Sequence, residues 1–346
     1  MNSFSAEILR WFRENGRDLP WRETRDPYAI WLSEIILQQT RIAQGWEYWE
    51  RFVQTYPKVE DLAAASEDDV LKLWQGLGYY SRARNLHTAA KQIVALGAFP
   101  NTLEGIKSLK GVGDYTAAAI GSFAFGIQAA VVDGNVYRVL SRYFGIDTPI
   151  NSTQGKKEFA ALAQSLLPAS DAASYNQGMM DFGAIQCTPQ SPKCLLCPLA
   201  ETCEALRCGR VEELPVKNKT VKVKTRHLSY IYIRCKSSAA DGTGKSEPMV
   251  AIHRRGEGDI WQGLWEPYNV SDVKELPSFV KNPILLAKDV KHVLTHRILL
   301  ADFYLLETES RPPLPDDYIW IRESEIEDYG VPRLIEIMLE KINPAE

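Results

Sequence analysis

What this chain lacks narrows its possibilities first. In 346 residues no apolar run approaches the roughly 20 residues of a membrane span, and the opening MNSFSAEILRWF carries no signal-peptide pattern. A reducing, cytoplasmic setting is therefore expected, with no membrane partner and no targeting signal. Net charge is only −4, from 40 basic and 44 acidic residues. That weighs slightly against a nucleic-acid partner, but a net charge averages over faces and leaves room for a basic groove. Repeats of solenoid length are absent, as are flavin and nicotinamide fingerprints. Cysteine is scarce as well: outside residues 187–203 there are only Cys208 and Cys235.

Within that stretch, CTPQSPKCLLCPLAETC, Cys187, Cys194, Cys197 and Cys203 are separated by six, two and five residues. In a reducing compartment clustered cysteines are metal ligands before they are disulfides. Structural zinc sites usually present two CxxC pairs on separate knuckles, whereas here one pair is flanked by two single cysteines. Pro192 and Pro198 tighten the loop. An iron–sulfur cluster suits this pattern better, with zinc as the alternative. No second cluster run accompanies it, which favours a structural role over electron transfer. Lys193, Arg207 and Arg210 flank the loop, either as phosphate contacts or as ordinary solvated charge.

The texture of the chain changes once. Up to about residue 205, short amphipathic stretches such as EDDVLKLWQGL and KKEFAALAQSLL alternate with Gly, Pro and Asp punctuation and read as helices. From about residue 224, HLSYIYIRC, EPMVAIHRR and RILLADFYLLE carry β-branched and aromatic runs, with a hairpin expected at SSAADGTGKSE, 237–247. The Pro- and Lys-rich ELPVKNKTVKVKTR joins the two. The reading is an all-helical domain over 1–215, a linker over 216–224 and a smaller mixed α/β domain over 225–346.

Two carboxylates in the helical part invite chemistry. Glu34 lies in DPYAIWLSEIILQQTR, where Asp26 and Pro27 start a helix that is apolar on most sides. A glutamate there either shares a narrow polar stripe with Gln38 or is functional, because burial raises a carboxyl pKa and makes a general acid near neutrality. Gln38, Gln39 and Thr40 follow as a polar step suited to base edges. Asp133, in VVDGNVYRVLSR, ends an apolar stretch and caps the next helix, a role that does not exclude catalysis. Between them, LKGVGDYTAAAIGSF is a Gly-x-Gly turn opening a helix, able to bring backbone N–H groups close to an anion. Such a turn often does no more than connect helices.

Taken in order, LPWR (19–22), WLSEIILQQTR (31–41), GLGYYSRARNL (76–86), LKGVGDYT (109–116), VVDGNVYRVLSR (131–142), NQGMMDFGAIQC (176–187) and the four-cysteine loop resemble the adenine DNA glycosylases of the MutY type, within the helix–hairpin–helix glycosylase superfamily. The resemblance implies a six-helix lobe over about 26–134 and a cluster lobe from 1–25 and 135–215, with DNA in the cleft and one [4Fe–4S] cluster. It implies Glu34 as the acid that protonates adenine and Asp133 as the carboxylate that stabilises a cationic sugar, with Tyr115 and Asn135 completing the catalytic shell. Arg17, Leu19, Trp21, Arg22 and Gln177 match the pocket around the flipped base. Gln39 and Tyr79 match side chains pushed into the duplex, with Thr40 and Leu77 beside them, and Gly111 and Gly113 match the phosphate-gripping hairpin.

The implied substrate is double-stranded DNA with adenine opposite 8-oxoguanine or guanine, and the implied protein is a monomer on nucleoid DNA. Tyr115 stands where the related strand-cleaving glycosylases carry a Schiff-base lysine, so a monofunctional enzyme is expected. The C-terminal part resembles a Nudix-like domain through WQGLWEPYNV (261–270), without the REx2Ex2E-type box that holds magnesium. Leu294-Thr295-His296 stands for the family's Phe-Ser-His tip over the oxidised base, which keeps a hydroxyl and loses an aromatic face. Asp114 stands where the family usually has proline.

Overall fold

The computed structural model describes residues 3–218, 223–236, 247–270 and 277–343. The expected hairpin at 237–247 lies outside the described residues except for Glu247, as do residues 219–222 of the linker. The chain divides into two compact units, Met1–Ala64 with Thr88–Lys219, and Ala65–His87 with Thr220–Glu346. None of the described helices is long and apolar enough to cross a membrane.

The first unit is helical, as its sequence texture requires. It holds α1 (Ser3–Asn15), α2 (Pro27–Ile36), α3 (Ile42–Thr55) and α4 (Val59–Ala64), before α5 (Glu67–Leu73) and the start of α6 (Ser81–Leu96) belong to the second unit. It then resumes with α7 (Leu103–Lys107), α8 (Asp114–Phe125), α9 (Gly134–Phe144), α10 (Thr153–Leu166), α11 (Ala172–Asp181) and α12 (Glu204–Arg207). Helix α2 starts as expected, with the Asp26 side chain accepting the Tyr28 N–H at 3.0 Å and Pro27 in the first turn. Every residue from Tyr28 to Ile36 is buried. It packs against the alanine-rich face of α8, whose small side chains permit close approach. Helices α7 and α8 are joined by the turn 109–113, where Gly111 has φ 79°, a left-handed conformation that a Cβ would penalise.

Helix α1 closes over the C-terminal half of this unit. Phe4, Ile8 and Trp11 pack with Val136, Val139 and Leu140 of α9, Phe159 of α10, and Tyr175 and Met179 of α11. This fixes α9 and α11 side by side, an arrangement that matters for the site.

The second unit is built on a seven-stranded sheet of β1 (Lys224–Cys235), β2 (Met249–Arg254), β3 (Trp265–Glu266), β4 (Tyr268–Asn269), β5 (Ile284–Val293), β6 (Arg297–Thr308) and β7 (Tyr318–Arg322), in the order β3-β2-β1-β6-β5 with β4 on β1 and β7 on β2. Strands β1 and β6 run parallel in unbroken register from Lys224 beside Arg297 to Cys235 beside Thr308. Period-two alternation sends Leu228, Tyr230 and Tyr232 to one face, under Leu334, Ile335 and Met338 of α13 (Arg333–Ile342), and Ile231 and Ile233 to the other. The expected fold class, a helical glycosylase-type domain followed by an α/β domain, describes the molecule. Segment 65–87, read from sequence as part of the helical domain, packs with the second unit. Gln75 bonds Glu336, Lys72 donates to the Tyr329 carbonyl at 3.3 Å, and Arg84 donates to the Gln262 carbonyl at 2.5 Å.

Candidate active site

A cavity of about 600 Å³ in the first unit gathers residues from five separate stretches of chain. Glu34 and Ser33 come from α2, Tyr115 from α8, Asp133 and Asn135 from the start of α9, Gln177 and Met180 from α11, and Arg17, Leu19, Trp21 and Arg22 from the segment before α2. Gln38, Gln39 and Thr40 line its rim. Periodicity and spacing gave no reason for these to meet; the family resemblance implied it, and they line one cavity. The packing of α2 on α8 and of α9 beside α11 brings them together.

The two carboxylates share this cavity in different settings. Burial pushes the Glu34 carboxyl up to about 7; the charge of Asp133 adds to the rise, while Arg22 and the 2.9 Å hydrogen bond donated by the Tyr115 hydroxyl restrain it. Asp133 is also raised by burial, but three donors oppose this: the backbone N–H groups of Val136 and Asn135 at 2.8 and 2.9 Å, and the Asn135 side-chain amide at 2.7 Å. Its expected capping role is carried by Oδ1, while Oδ2 is held by the Asn135 side-chain amide. A proton is therefore easily kept on Glu34 near neutrality while Asp133 is better equipped to stay charged.

Two residues that sequence reasoning passed over organise this site. Arg138, buried in α9, donates to the Asn135 side-chain oxygen and the Gly183 carbonyl at 2.7 Å each, and to the Cys187 carbonyl at 2.7 Å. Asp181, with a wholly inaccessible side chain, receives Arg17 and Arg22. A signal for Asp181 existed: it is an acidic residue within a helical stretch, flanked by Met179, Met180 and Phe182. Such a residue requires a cation.

The remaining sequence-proposed residues fall as follows. Trp21 is buried edge-on against Trp46 and Trp49 at ring distances of 5.8 and 5.6 Å, and still lines the cavity with Leu19. Gln39 has φ 57°, and Tyr79, in the second unit, φ 46°; both are non-glycine residues held in the left-handed region, a strain that clusters at functional positions. Gly111 and Gly113 are exposed on their turn, and the Asp114 carboxylate beside them is paired with Lys107. In the second unit a separate cavity of about 570 Å³ is lined by Leu77, Tyr79, Trp261, Leu294, Thr295 and His296 among others. Leu294, Thr295 and His296 form the tip between β5 and β6, and the Tyr79 and Thr295 hydroxyls are hydrogen-bonded.

The four cysteines of the loop line one small cavity with Arg142. Among the described residues no three His, Cys, Asp or Glu side chains converge on a single-ion position. Burial raises Cys194, Cys197 (to about 11) and Cys203, and neighbouring thiols raise them further, so four thiolates here need a cationic body between them. Donors suited to charged sulfur are in place: the N–H groups of Leu199 on Cys197 and of Leu206 and Ala205 on Cys203, and the Arg142 guanidinium 3.4 Å from Cys187 Sγ. This donor set fits an iron–sulfur cluster.

Comparison with known proteins adds three family matches: residues 32–168 to the HhH-GPD superfamily of base excision DNA repair proteins, 187–203 to the iron–sulfur binding domain of endonuclease III, and 244–341 to the Nudix domain. The adenine DNA glycosylase of Buchnera aphidicola subsp. Schizaphis graminum is 30% identical over 355 residues, 97% of this chain and 98% of that one. Its counterpart from subsp. Acyrthosiphon pisum is 36% identical over 265 residues, 76% of this chain and 73% of the other. Among solved structures, a thermostable thymine-DNA glycosylase superposes with a TM-score of 0.56 at 35% identity, covering 59% of this chain and 95% of its own.

Proposed function

The chain belongs to the adenine DNA glycosylase family, and from that premise we propose that it removes adenine mispaired with 8-oxoguanine or guanine from double-stranded DNA, by hydrolysis and without cutting the strand. The observation that carries this reading is the shared cavity of Glu34, Tyr115 and Asp133. Its volume of about 600 Å³ suits a purine nucleotide turned out of the stack, a step that costs a few kcal/mol and is offset by enclosure between Trp21, Leu19 and the polar groups of Gln177 and Arg17.

Adenine leaves poorly as an anion, so a ring nitrogen must be protonated as the N-glycosidic bond breaks. Glu34, raised to about 7, holds the required proton at neutral pH and donates it. The sugar becomes cationic, and ionised Asp133, held by Asn135 and two backbone N–H groups, stabilises it by charge or by transient attachment. Glu34, now a carboxylate, and Asn135 place the water that completes hydrolysis. Tyr115 orients Glu34; a phenol cannot form the imine that strand cleavage by a lyase needs.

The chain carries one [4Fe–4S] cluster, for which Cys187, Cys194, Cys197 and Cys203 are the ligands we assign. When bound, the cluster would cross-link the loop; Arg138 and Arg142 themselves tie the loop to α9 by donating to the Cys187 and Thr188 carbonyls. In the second unit, Thr295 is assigned to the base opposite adenine, with Leu294 and His296 beside it. Gln39 and Tyr79 are assigned to the opened duplex, with Thr40 and Leu77 beside them, and Gly111 and Gly113 to its phosphates. A cytoplasmic monomer acting on nucleoid DNA fits this scheme.

The test uses duplexes with adenine opposite 8-oxoguanine, guanine or thymine, and one with thymine opposite guanine, each treated with alkali after incubation. Base loss from the first two supports the reading. Thymine release would instead align the chain with its structural neighbour, and nicking before alkali would make it a lyase.

A further inference from the structure

We propose that Asp181 is a positioning residue of the base cavity, its single buried carboxylate gathering Arg17 and Arg22 into one fixed wall and balancing their charge opposite Glu34. This rests on the reading of the cavity as the adenine pocket.

The geometry is specific. Asp181 Oδ2 accepts the Arg17 backbone N–H at 2.9 Å and Arg22 Nη1 at 2.8 Å, while Oδ1 accepts Arg17 Nε at 2.9 Å, Arg22 Nη2 at 2.8 Å and Arg17 Nη2. Both carboxylate oxygens are thus spent on two guanidiniums, and Arg22 Nη1 also ties back to the Arg17 carbonyl at 2.9 Å. The Asp181 side chain has no solvent exposure, yet both arginines line the cavity it stands behind. A single charge-assisted clamp of this kind fixes two long side chains that would otherwise sample many rotamers.

The electrostatic consequence has a definite sign. The charged groups bearing on Glu34 are Arg22 from the segment before α2 and Asp133 at the start of α9, with Tyr115 of α8 as its hydrogen-bond donor. Arg17 stands in the same wall and Arg138 stands behind Asp133. Removing the Asp181 charge leaves two guanidiniums uncompensated beside the cavity, which favours ionised Glu34. Removing Arg22 instead does the reverse.

The experiment is single-turnover adenine release between about pH 5 and 9 from the intact cluster-containing protein and an adenine:8-oxoguanine duplex. Asp181→Asn should lose activity at a lower pH than the native protein, the limb moving by about one pH unit, so that release falls about ninefold at pH 8 and only about twofold at pH 6. Arg22→Gln should move the same limb upward, whatever its effect on the maximal rate, and it supplies the test if Asp181→Asn does not fold. A limb that stays in place in Arg22→Gln, or in folded Asp181→Asn, overturns the proposal. Native protein that releases no adenine would instead refute the function from which it starts.

Discussion

Adding one methyl group at Gly183 should impair the enzyme from behind the proposed catalytic shell, where it would meet Asn135. An ideal Cβ there would sit 2.6 Å from the Asn135 Cβ, 2.9 Å from its carbonyl oxygen and 3.0 Å from its carbonyl carbon, where ordinary contact begins at 3.4 Å. Two of the three atoms are backbone, so no rotamer change relieves the clash; either α9 or the turn Phe182–Gln186 must move by most of an ångström. That turn is π-helical, one residue wider than α, and its Gly183 carbonyl accepts Arg138, which also holds Asn135. Overpacking of this type costs about 1–3 kcal/mol, and a displacement near 1 Å in an active site costs up to ~100-fold in rate. Gly183→Ala should therefore release adenine about 10- to 100-fold more slowly in single turnover, melt a few degrees lower, and keep its duplex affinity within about threefold. A variant with the native rate would show that Asn135 does not need its present position, and the account of Asp133 held by Asn135 would fail with it.

Other outcomes follow from the same geometry. Glu34→Gln should abolish base release yet bind the duplex, and retained release would remove the assigned acid. The native rate should be highest below about pH 7 and fall as pH rises through the Glu34 value, because the proposed acid works in its protonated form. The same carboxyl is raised from an ordinary 4.5 to about 7 on folding, so its ionisation opposes the folded state increasingly from about pH 4.5 to 7 and by a constant amount above. Glu34→Gln should accordingly stabilise the protein above pH 7 by up to about 3 kcal/mol and not at all at pH 4, measured by denaturant titration. Cys197→Ser should lose the brown colour and absorption near ~400 nm expected of iron–sulfide bonds; a colourless native protein with stoichiometric zinc would overturn the cluster assignment. Thr295→Val should reduce the preference for 8-oxoguanine over guanine opposite adenine by about five- to tenfold, the worth of one hydrogen bond, with single-turnover rates on both duplexes as the measure.

What the sequence made legible, and what it did not, divides along the range of the interactions. The caps and turns were local and could be read directly: Asp26 before Pro27 starts α2, Asp133 accepts the two N–H groups that follow it, and Gly111 takes the left-handed turn. The apolar surround of Glu34 in its own helix announced burial, and the structure buries it. Arg138 and Asp181 were not legible in the same way, because their meaning lies in partners far along the chain: Asp181 meets Arg17 across 164 residues, and Arg138 meets Cys187 across 49. A charged side chain among apolar neighbours says only that some partner exists, and helical periodicity does not say which. The segment 65–87 makes the same point for packing. Its periodicity is as helical as that of its neighbours, but Gln75, Lys72 and Arg84 find their partners beyond residue 260, so the boundary drawn by texture and the boundary drawn by contacts differ. Here local chemistry singled out the two carboxylates, and long-range packing supplied the cavity they share.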